Sequence, residues 1–392
     1  MNKNILNIEI QVFINSNLNT DISKLLLKRT PIESVEAKAI VVQIEAKKRS
    51  EKKLPTWFKT PNIYYPLKLN IEQTSSEVTA KYKASLVSGT SLIDLTGGFG
   101  VDAYFFSKRI RTVIHCEINT ELHDIVKHNY NTLNTSNIDC INDDGIKILK
   151  QLDQPFDWIY IDPSRRDKSQ QKVFLLSDCT PNIKTFQNLF LKYAQRVMIK
   201  TSPLLDLTAT LSDLNSVKEI HIVAVNNEVK ELLWVLEKNF TKKVMITTVN
   251  LLKDETQNFN FYFEEEALAT SEYREPLNYL YEPNAAILKS GAFNSVSQQL
   301  QLQKIHKHSH LYTSKNLVPF PGRRFAITKV LPFNKKHFAK EGIKKANVTT
   351  RNFPLSVHDI RKKLNIKDGG EIYLFFTTDN INEKMIVVCN KV

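Results

Sequence analysis

The chain has 392 residues, 42% of them hydrophobic, more than one ordinary core accommodates, so two or three folded domains are expected. No stretch offers the roughly 18 apolar residues of a membrane span, so no transmembrane helix is expected, and MNKNILNIEIQVFINSNLNT shows no export signature, in line with an expected cytoplasmic protein. The four cysteines form no CxxC pair and are expected to be reduced thiols. The net charge of +13 resides at one end: residues 283–392 carry 19 Lys or Arg against 6 Asp or Glu, whereas residues 1–282 carry 35 of each sign. A basic tail on a neutral body suits a polyanion, and nucleic acid is the expected partner.

The first 70 or so residues read as helical. Thr30-Pro31-Ile32-Glu33 is a helix start, with a hydroxyl cap, proline in the first turn and glutamate three residues on. A long helix is expected through VEAKAIVVQIEAKKRSEKK, ending before Pro55, its cationic end favoured by the helix dipole. EQTSSEVTAKYKASL (72–86) reads as another helix, with TSSE as its start signal. From about residue 80, buried strands are expected at SLIDLT, TVIHCE, IDCIN, DWIYID, RVMIKT and EIHIVAV. Amphipathic segments such as TELHDIVKHNYNTL and TPNIKTFQNLFLKYA separate most of them. This alternation predicts a parallel sheet covered on both faces, with ligands at the C-terminal ends of the strands. After about residue 255, NFNFYFEEEAL and the proline-punctuated REPLNYLYEPNAA read as a boundary. A basic α+β region follows, with strands RFAITKVLPF, EIYLFFTT and MIVVCN around helix LSVHDIRKKLN.

The strand ends carry the candidate chemistry. In LIDLTGGFGVDA (92–103), glycines between a strand and a helix let the backbone approach a ligand or take positive φ. The order is Asp94-x-Thr96-x-Gly98-x-Gly100, not the GxGxxG of dinucleotide sites, and alone it would be a turn. Glu117 ends the second strand, where a carboxylate can accept two ribose hydroxyls. Asp143 and Asp144 follow the third, and Asp162-Pro163-Ser164-Arg165 the fourth. Acids at successive tips read as a pocket. HKHSH (306–310) reads as a basic surface segment rather than a metal site, because no Cys or acid cluster completes it locally.

This ordered set resembles the class I S-adenosylmethionine-dependent methyltransferases over roughly residues 70–250. The resemblance implies an α/β Rossmann-like, seven-stranded methyltransferase sheet and S-adenosyl-L-methionine as cofactor. By the same likeness, Asp94 meets the ammonium of its methionine end beside the loop of Thr96, Gly98 and Gly100. Glu117 takes the ribose, and Asp144, rather than Asp143, the adenine amino group. Gln73, Thr74 and Ser75 contact it from an extra helix. Thr96 departs from the pattern, which usually has glycine there. The pieces QTSSE, DLTGGFGVD, IDPSRRD, FPGRRF and RNFPLSVHDIRKKLNIKDGG further resemble a bacterial group of these enzymes with a THUMP-like C-terminus. That likeness implies an N-terminal helical domain (1–70), a methyltransferase domain (71–255), a small ferredoxin-like α+β module (279–322) and a basic THUMP-like domain (323–392). THUMP domains proper bind RNA, so the implied partner is rRNA or tRNA.

Enzymes that methylate exocyclic base amines carry Asp/Asn-Pro-Pro-aromatic at the fourth tip. Asp162 and Pro163 match; Ser164 replaces the second proline and Arg165 the aromatic. A guanidinium plane can stack on a base or bind phosphate, or Arg165 and Arg166 can simply pair with acids such as Asp167. Carbon methylation of pyrimidines is not expected: KTSPLLD has no thiol, and Cys179 is read as lying in a helix or loop. Ribose 2′-hydroxyl methylation would draw on Lys81 or Lys83, Asp162, Lys200 and Glu228. The expected function is therefore methylation of a base amine of rRNA or tRNA, with Asp162, Pro163, Ser164, Arg165 and Lys200 at the reacting centre. The alternatives are 2′-O-methylation, a non-catalytic RNA-binding protein with a degenerate fold, and a small-molecule methyltransferase.

Overall fold

The computed structural model describes residues 1–21, 23, 25, 35–165 and 176–392, with only the backbone of Arg165. The predicted helix start at Thr30–Glu33, and the Arg166 and Asp167 side chains, lie outside the described residues. The chain forms two compact units, Met1–Lys218 with Leu233–Thr241, and Glu219–Leu232 with Lys242–Val392. No helix among the described residues is long and apolar enough to cross a membrane.

The first unit begins with helices α1 (Ile8–Ser16), α2 (Ala37–Lys53), α3 (Pro55–Lys59), α4 (Lys68–Gln73) and α5 (Glu77–Leu86). As expected, the long basic helix stops before Pro55, and its last lysine, Lys53, donates to the carbonyls of Ile71 and Glu72. The TSSE start is shifted from the expected place. Ser76, not Thr74, caps α5, and Glu77 turns away to accept from Thr56. Strands β1 (Ser91–Asp94), β2 (Thr112–Cys116), β3 (Ile138–Ile141), β4 (Phe156–Ile161) and β5 (Ala194–Thr201) coincide with five of the predicted runs. They lie in the order β3-β2-β1-β4-β5, all parallel. Between them come α6 (Val101–Phe106), α7 (Thr120–Thr132), α8 (Gly145–Leu152), α9 (Ile183–Tyr193) and α10 (Leu207–Asp213). Asn119, Asp144, Asn182 and Asp206 start α7 to α10, each side chain accepting a backbone N–H of the first turn. A buried cluster beside the sheet includes Trp57, edge-on to Tyr104, and Phe106, edge-on to Tyr160.

The sixth predicted run is β6 (Val217–Val225), which turns at Asn226-Asn227, both at positive φ, into β7 (Glu228–Glu237). The C-terminal half of β7 lies beside β5 in the first unit. In the second unit the order is β7, β6, β8 (Met245–Leu251), β9 (Thr256–Tyr262). NFNFYF, read from sequence as part of a boundary, is β9, antiparallel to β8.

After α11 (Phe263–Glu266), a second sheet assembles from β10 (Tyr279–Pro283), β11 (Gln303–Lys304), β12 (Tyr312–Ser314), β13 (Gly322–Pro332), β14 (Lys345–Thr350), β15 (Lys367–Thr378) and β16 (Lys384–Lys391). Its order is β11-β12-β10-β13-β16-β15-β14. LNYLYEP, also read as boundary, contains β10, near the middle of this sheet, antiparallel to β13. Helices α12 (Ala285–Ser290), α13 (Phe293–Gln299), α14 (Lys335–Lys340) and α15 (Val357–Leu364) complete the unit. HKHSH corrects a further expectation. His306 and Ser309 are buried, and only Lys307 and His308 are exposed. His306 accepts from the amide of His308, and His310 stacks on Phe293 at 3.5 Å. Among the described residues no group of acids, histidines or cysteines could hold a metal.

Candidate functional site

Register explains why the strand-tip acids of the first unit meet. Asp94 pairs with His115 across β1–β2 and with Tyr160 across β1–β4, so Glu117 and Asp162 each stand two residues beyond its level. Ile161 pairs with Ile199, which sets Lys200 beside Asp162, and the two form an ion pair. Cys116 pairs with Ile141, and Glu117 donates its amide to the Ile141 carbonyl at 3.1 Å, so Asn142–Asp144 follow on the same rim.

The glycine loop binds these tips to one another. Gly98, at φ +59°, donates its amide to Glu117 Oε2 at 2.8 Å, while Asn119 donates to Oε1 at 2.7 Å. Both carboxylate oxygens are thereby fixed, with lone pairs to spare. Thr96 does more than a glycine could. Its amide donates to Asp94 Oδ1 at 3.0 Å, and its hydroxyl accepts from the Asp162 amide at 2.7 Å. The threonine that departs from the family pattern joins the first and fourth strand tips.

Asp94 is 1% exposed. Burial raises its pKa well above the carboxylate range; donation from Thr96 opposes this, while Asp102 and Asp162 add to it. No cationic side chain pairs with Asp94 among the described residues. Its neighbours are provided for: Lys83, 0% exposed, lies 3.2 Å from Asp102 Oδ1, while Ser75 (2.8 Å) and Tyr160 (2.7 Å) donate to Oδ2. Burial pushes Asp102 up, but Lys83, Lys200, Tyr160 and Ser75 together bring it below its ordinary value.

Of the other predicted residues, Gln73 is exposed at the end of α4, Thr74 is half-buried, and Ser75 is buried with its hydroxyl committed to Asp102 and Lys83. Gly100, at φ +75°, accepts from Tyr130 through its carbonyl. Asp144 caps α8, and Asp143 pairs with Lys147. Pro163 is half-buried and Ser164 exposed. Ser164-Arg165 pairs with Cys179-Thr180 in a two-residue ladder, so Cys179 lies in a strand rather than the helix or loop expected. Arg165's side chain is outside the described residues. Of the ribose-methylation candidates, Lys81 pairs with Glu77, Lys83 with Asp102, and the exposed Glu228, in the second unit, with Lys230.

Gly145 and Ile118 escaped the sequence reading, and so did the pairing of Asp102 with Lys83. Lys83 was named only as one of two alternative lysines for ribose methylation, and Asp102 was visible only as an acid within the apolar VDAYFF. Gly145 lets the start of α8 press against the residue that follows β1: a Cβ there would lie 2.3 Å from the Leu95 carbonyl oxygen. Ile118, 70% exposed beside Glu117, offers an apolar surface at the rim. An acid followed by an exposed isoleucine at a strand end was its only signal.

Residues 279–321 match a ferredoxin-like domain family and residues 322–391 a THUMP domain-like family. No curated protein matches the chain. The crystal structure of a "putative methyltransferase" from Porphyromonas gingivalis W83 is similar over 100% of this chain and 98% of its own, at 33% identity and TM-score 0.90. A "putative class I S-adenosylmethionine-dependent methyltransferase" from Listeria monocytogenes is similar over 62% of this chain and 88% of its own (11% identity, TM-score 0.40). A Bacillus cereus O-methyltransferase in complex with SAH is similar over 51% and 100% (12%, 0.36).

Proposed function

We propose that this chain, which belongs to the class I S-adenosylmethionine-dependent methyltransferase family that ends in a THUMP-like domain, methylates RNA at a base amine of rRNA or tRNA. The observation that carries the reading is Asp94: a fully buried acid beside the glycine loop, charged only at a cost that a ligand cation would offset. The donor set fits the cofactor. Asp94 would meet its ammonium, Glu117, already oriented by Gly98 and Asn119, its ribose hydroxyls, and Ile118 the face of its adenine. Asp144, with one oxygen used in capping, keeps the other for the adenine amino group.

Bound S-adenosylmethionine supplies an electrophilic methyl on a sulfonium, so the protein's task is to aim the acceptor in line and accept its proton's hydrogen bond. Lys200 holds Asp162 Oδ2, leaving Oδ1 for an amine N–H, with the Pro163 carbonyl beside it for a second. Methyl transfer to the amine nitrogen would leave it one proton in excess, which would pass to solvent past Asp162. Exposed Ser164 borders this point. RNA as the acceptor rests on the match of residues 322–391 to THUMP-like domains and on the basic end of the chain.

Calorimetry with S-adenosylhomocysteine tests the pocket. Asp94→Ala is expected to weaken binding by about 2–5 kcal/mol, the cost of truncating one partner of a buried charge pair; unchanged binding would reject it. Labelled cofactor with total RNA from a strain lacking the gene tests the reaction. An N-methylated base is expected, a 2′-O-methylated nucleoside would replace this chemistry with the ribose reading, and no incorporation would leave a non-catalytic binder.

A further inference from the structure

Two of the sequence pieces quoted above, FPGRRF and RNFPLS, have no part in the methyltransferase rim, yet both meet one buried acid in the second unit. Glu282, on β10, has a side chain only 4% exposed. It stands opposite Arg323 of β13 in register, and Arg323 donates Nε to Glu282 Oε2 at 2.6 Å and forks onto the same oxygen through Nη2. Arg351, just past β14, donates Nη2 to Oε1 at 2.9 Å. The approach depends on Gly322, where a Cβ would lie 2.2 Å from the Glu282 carbonyl oxygen.

Neutralising one buried carboxylate takes one guanidinium. Here two share it, leaving a surplus positive charge and several outward N–H donors on planes that cannot rotate freely. Their side chains are 40% and 32% exposed, although Arg351 Nε itself is buried without a partner. The surroundings reinforce the sign. Beyond the burial that holds His310 down to about 4, Lys304, Arg351 and His308 all lie near enough to disfavour a proton on it. Lys304 has Glu266 as its nearby acid. Asn352, next to Arg351, is held by His306 at 2.9 Å. Planar, pre-oriented guanidinium pairs match the oxygens of a phosphate, and the surrounding 283–392 stretch supplies long-range attraction for a polyanion.

We propose that Arg323 and Arg351, aligned by Glu282, form a clamp for a backbone phosphate of the RNA strand. This rests on the reading that RNA is the partner. The test uses the full-length protein and a fluorescein-labelled single-stranded RNA, titrated at several KCl concentrations, with thermal melts to check folding. Arg323→Ala and Arg351→Ala are expected to weaken binding and lower the salt slope by about one unit each. Arg323→Lys keeps the charge but loses the fork, and is also expected to weaken binding. Glu282→Gln discriminates by sign. It makes the surface one charge more positive, so general attraction predicts tighter binding, whereas the clamp predicts weaker binding. Tighter binding by Glu282→Gln, unchanged binding by Arg323→Lys, or equal displacement of the RNA by polyglutamate would each overturn the clamp. If wild type binds RNA and the variants match it, the clamp alone falls. If wild type binds no RNA, the RNA reading falls with it.

Discussion

The methyltransferase rim of the first unit and the Glu282 cluster of the second leave residual charge of opposite sign. At the rim three aspartates, Asp94, Asp102 and Asp162, are served by two lysines, Lys83 and Lys200, and Asp94 is left with hydrogen bonds from Thr96 alone. Around Glu282 two arginines share one carboxylate. Charge taken out of water without a partner is costly, so each imbalance marks where an oppositely charged group belongs: a cation at Asp94, an anion at the arginines.

Isosteric neutralisation breaks this comparison most sharply. Glu282→Gln strips two half-buried guanidiniums of their counter-charge and is expected to cost about 1–3 kcal/mol of folding stability, less than for a fully buried pair because both arginines keep contact with water. Asp94→Asn keeps the oxygen that Thr96 donates to and removes a charge that burial disfavours. It is expected to gain about 1 kcal/mol without cofactor while cofactor affinity falls, the usual exchange of function for stability. Urea melts of both variants with and without S-adenosylhomocysteine measure this. Equal signs in the ligand-free proteins would show that the two acids are not different in kind.

A more gradual effect concerns what the two units share. Burial pushes His115 down to about 4, with nearby His123 adding to it and the Gly97 backbone opposing it. The unfolded imidazole takes its proton near pH 6.5 and the folded one only near 4, so stability is full above 6.5 and declines as pH falls through that window, by roughly 3 kcal/mol in all. Asp94, raised rather than lowered, acts in the opposite direction on acidification. His310, also held to about 4, gives the second unit the same sign as His115. His115→Gln and His310→Gln are each expected to flatten the acid limb of denaturation between pH 6.5 and 4. An unchanged limb in both would trace the acid sensitivity to carboxylates instead.

Much of the rim was legible because it depends on local sequence and simple register. Alternating apolar runs located β1 to β6, and in a parallel sheet the residue after each run must lie at the ligand edge. The Asp102–Lys83 pair was not legible, since it joins two helices whose facing sides only the packed structure defines. In the second unit composition misled. NFNFYF and LNYLYEP looked like linker because acids and prolines flank them, yet they supply most of β9 and all of β10. HKHSH looked like surface because it is cationic, yet His306 is enclosed and bonded to Asn352, a contact across 46 residues. The Glu282 clamp unites three segments that no spacing rule connects.

Thr96 gives the finest measure of the comparison, because sequence marked it as a flaw. Its hydroxyl accepts from the Asp162 amide and its own amide supports Asp94, so it links the unpaired acid to the Lys200-paired one. Thr96→Gly, which restores the common family residue, removes the first of these bonds and loosens the unfolded chain. The two effects together are expected to cost about 1–2 kcal/mol of stability. Thr96→Ser keeps the hydroxyl and should cost less than half as much. With S-adenosylhomocysteine bound, the Thr96→Gly deficit should persist, since the proposed function puts Asp162 at the acceptor rather than at the cofactor. If glycine instead stabilises the loop, the threonine bridge contributes nothing and the two strand tips are held by their register alone.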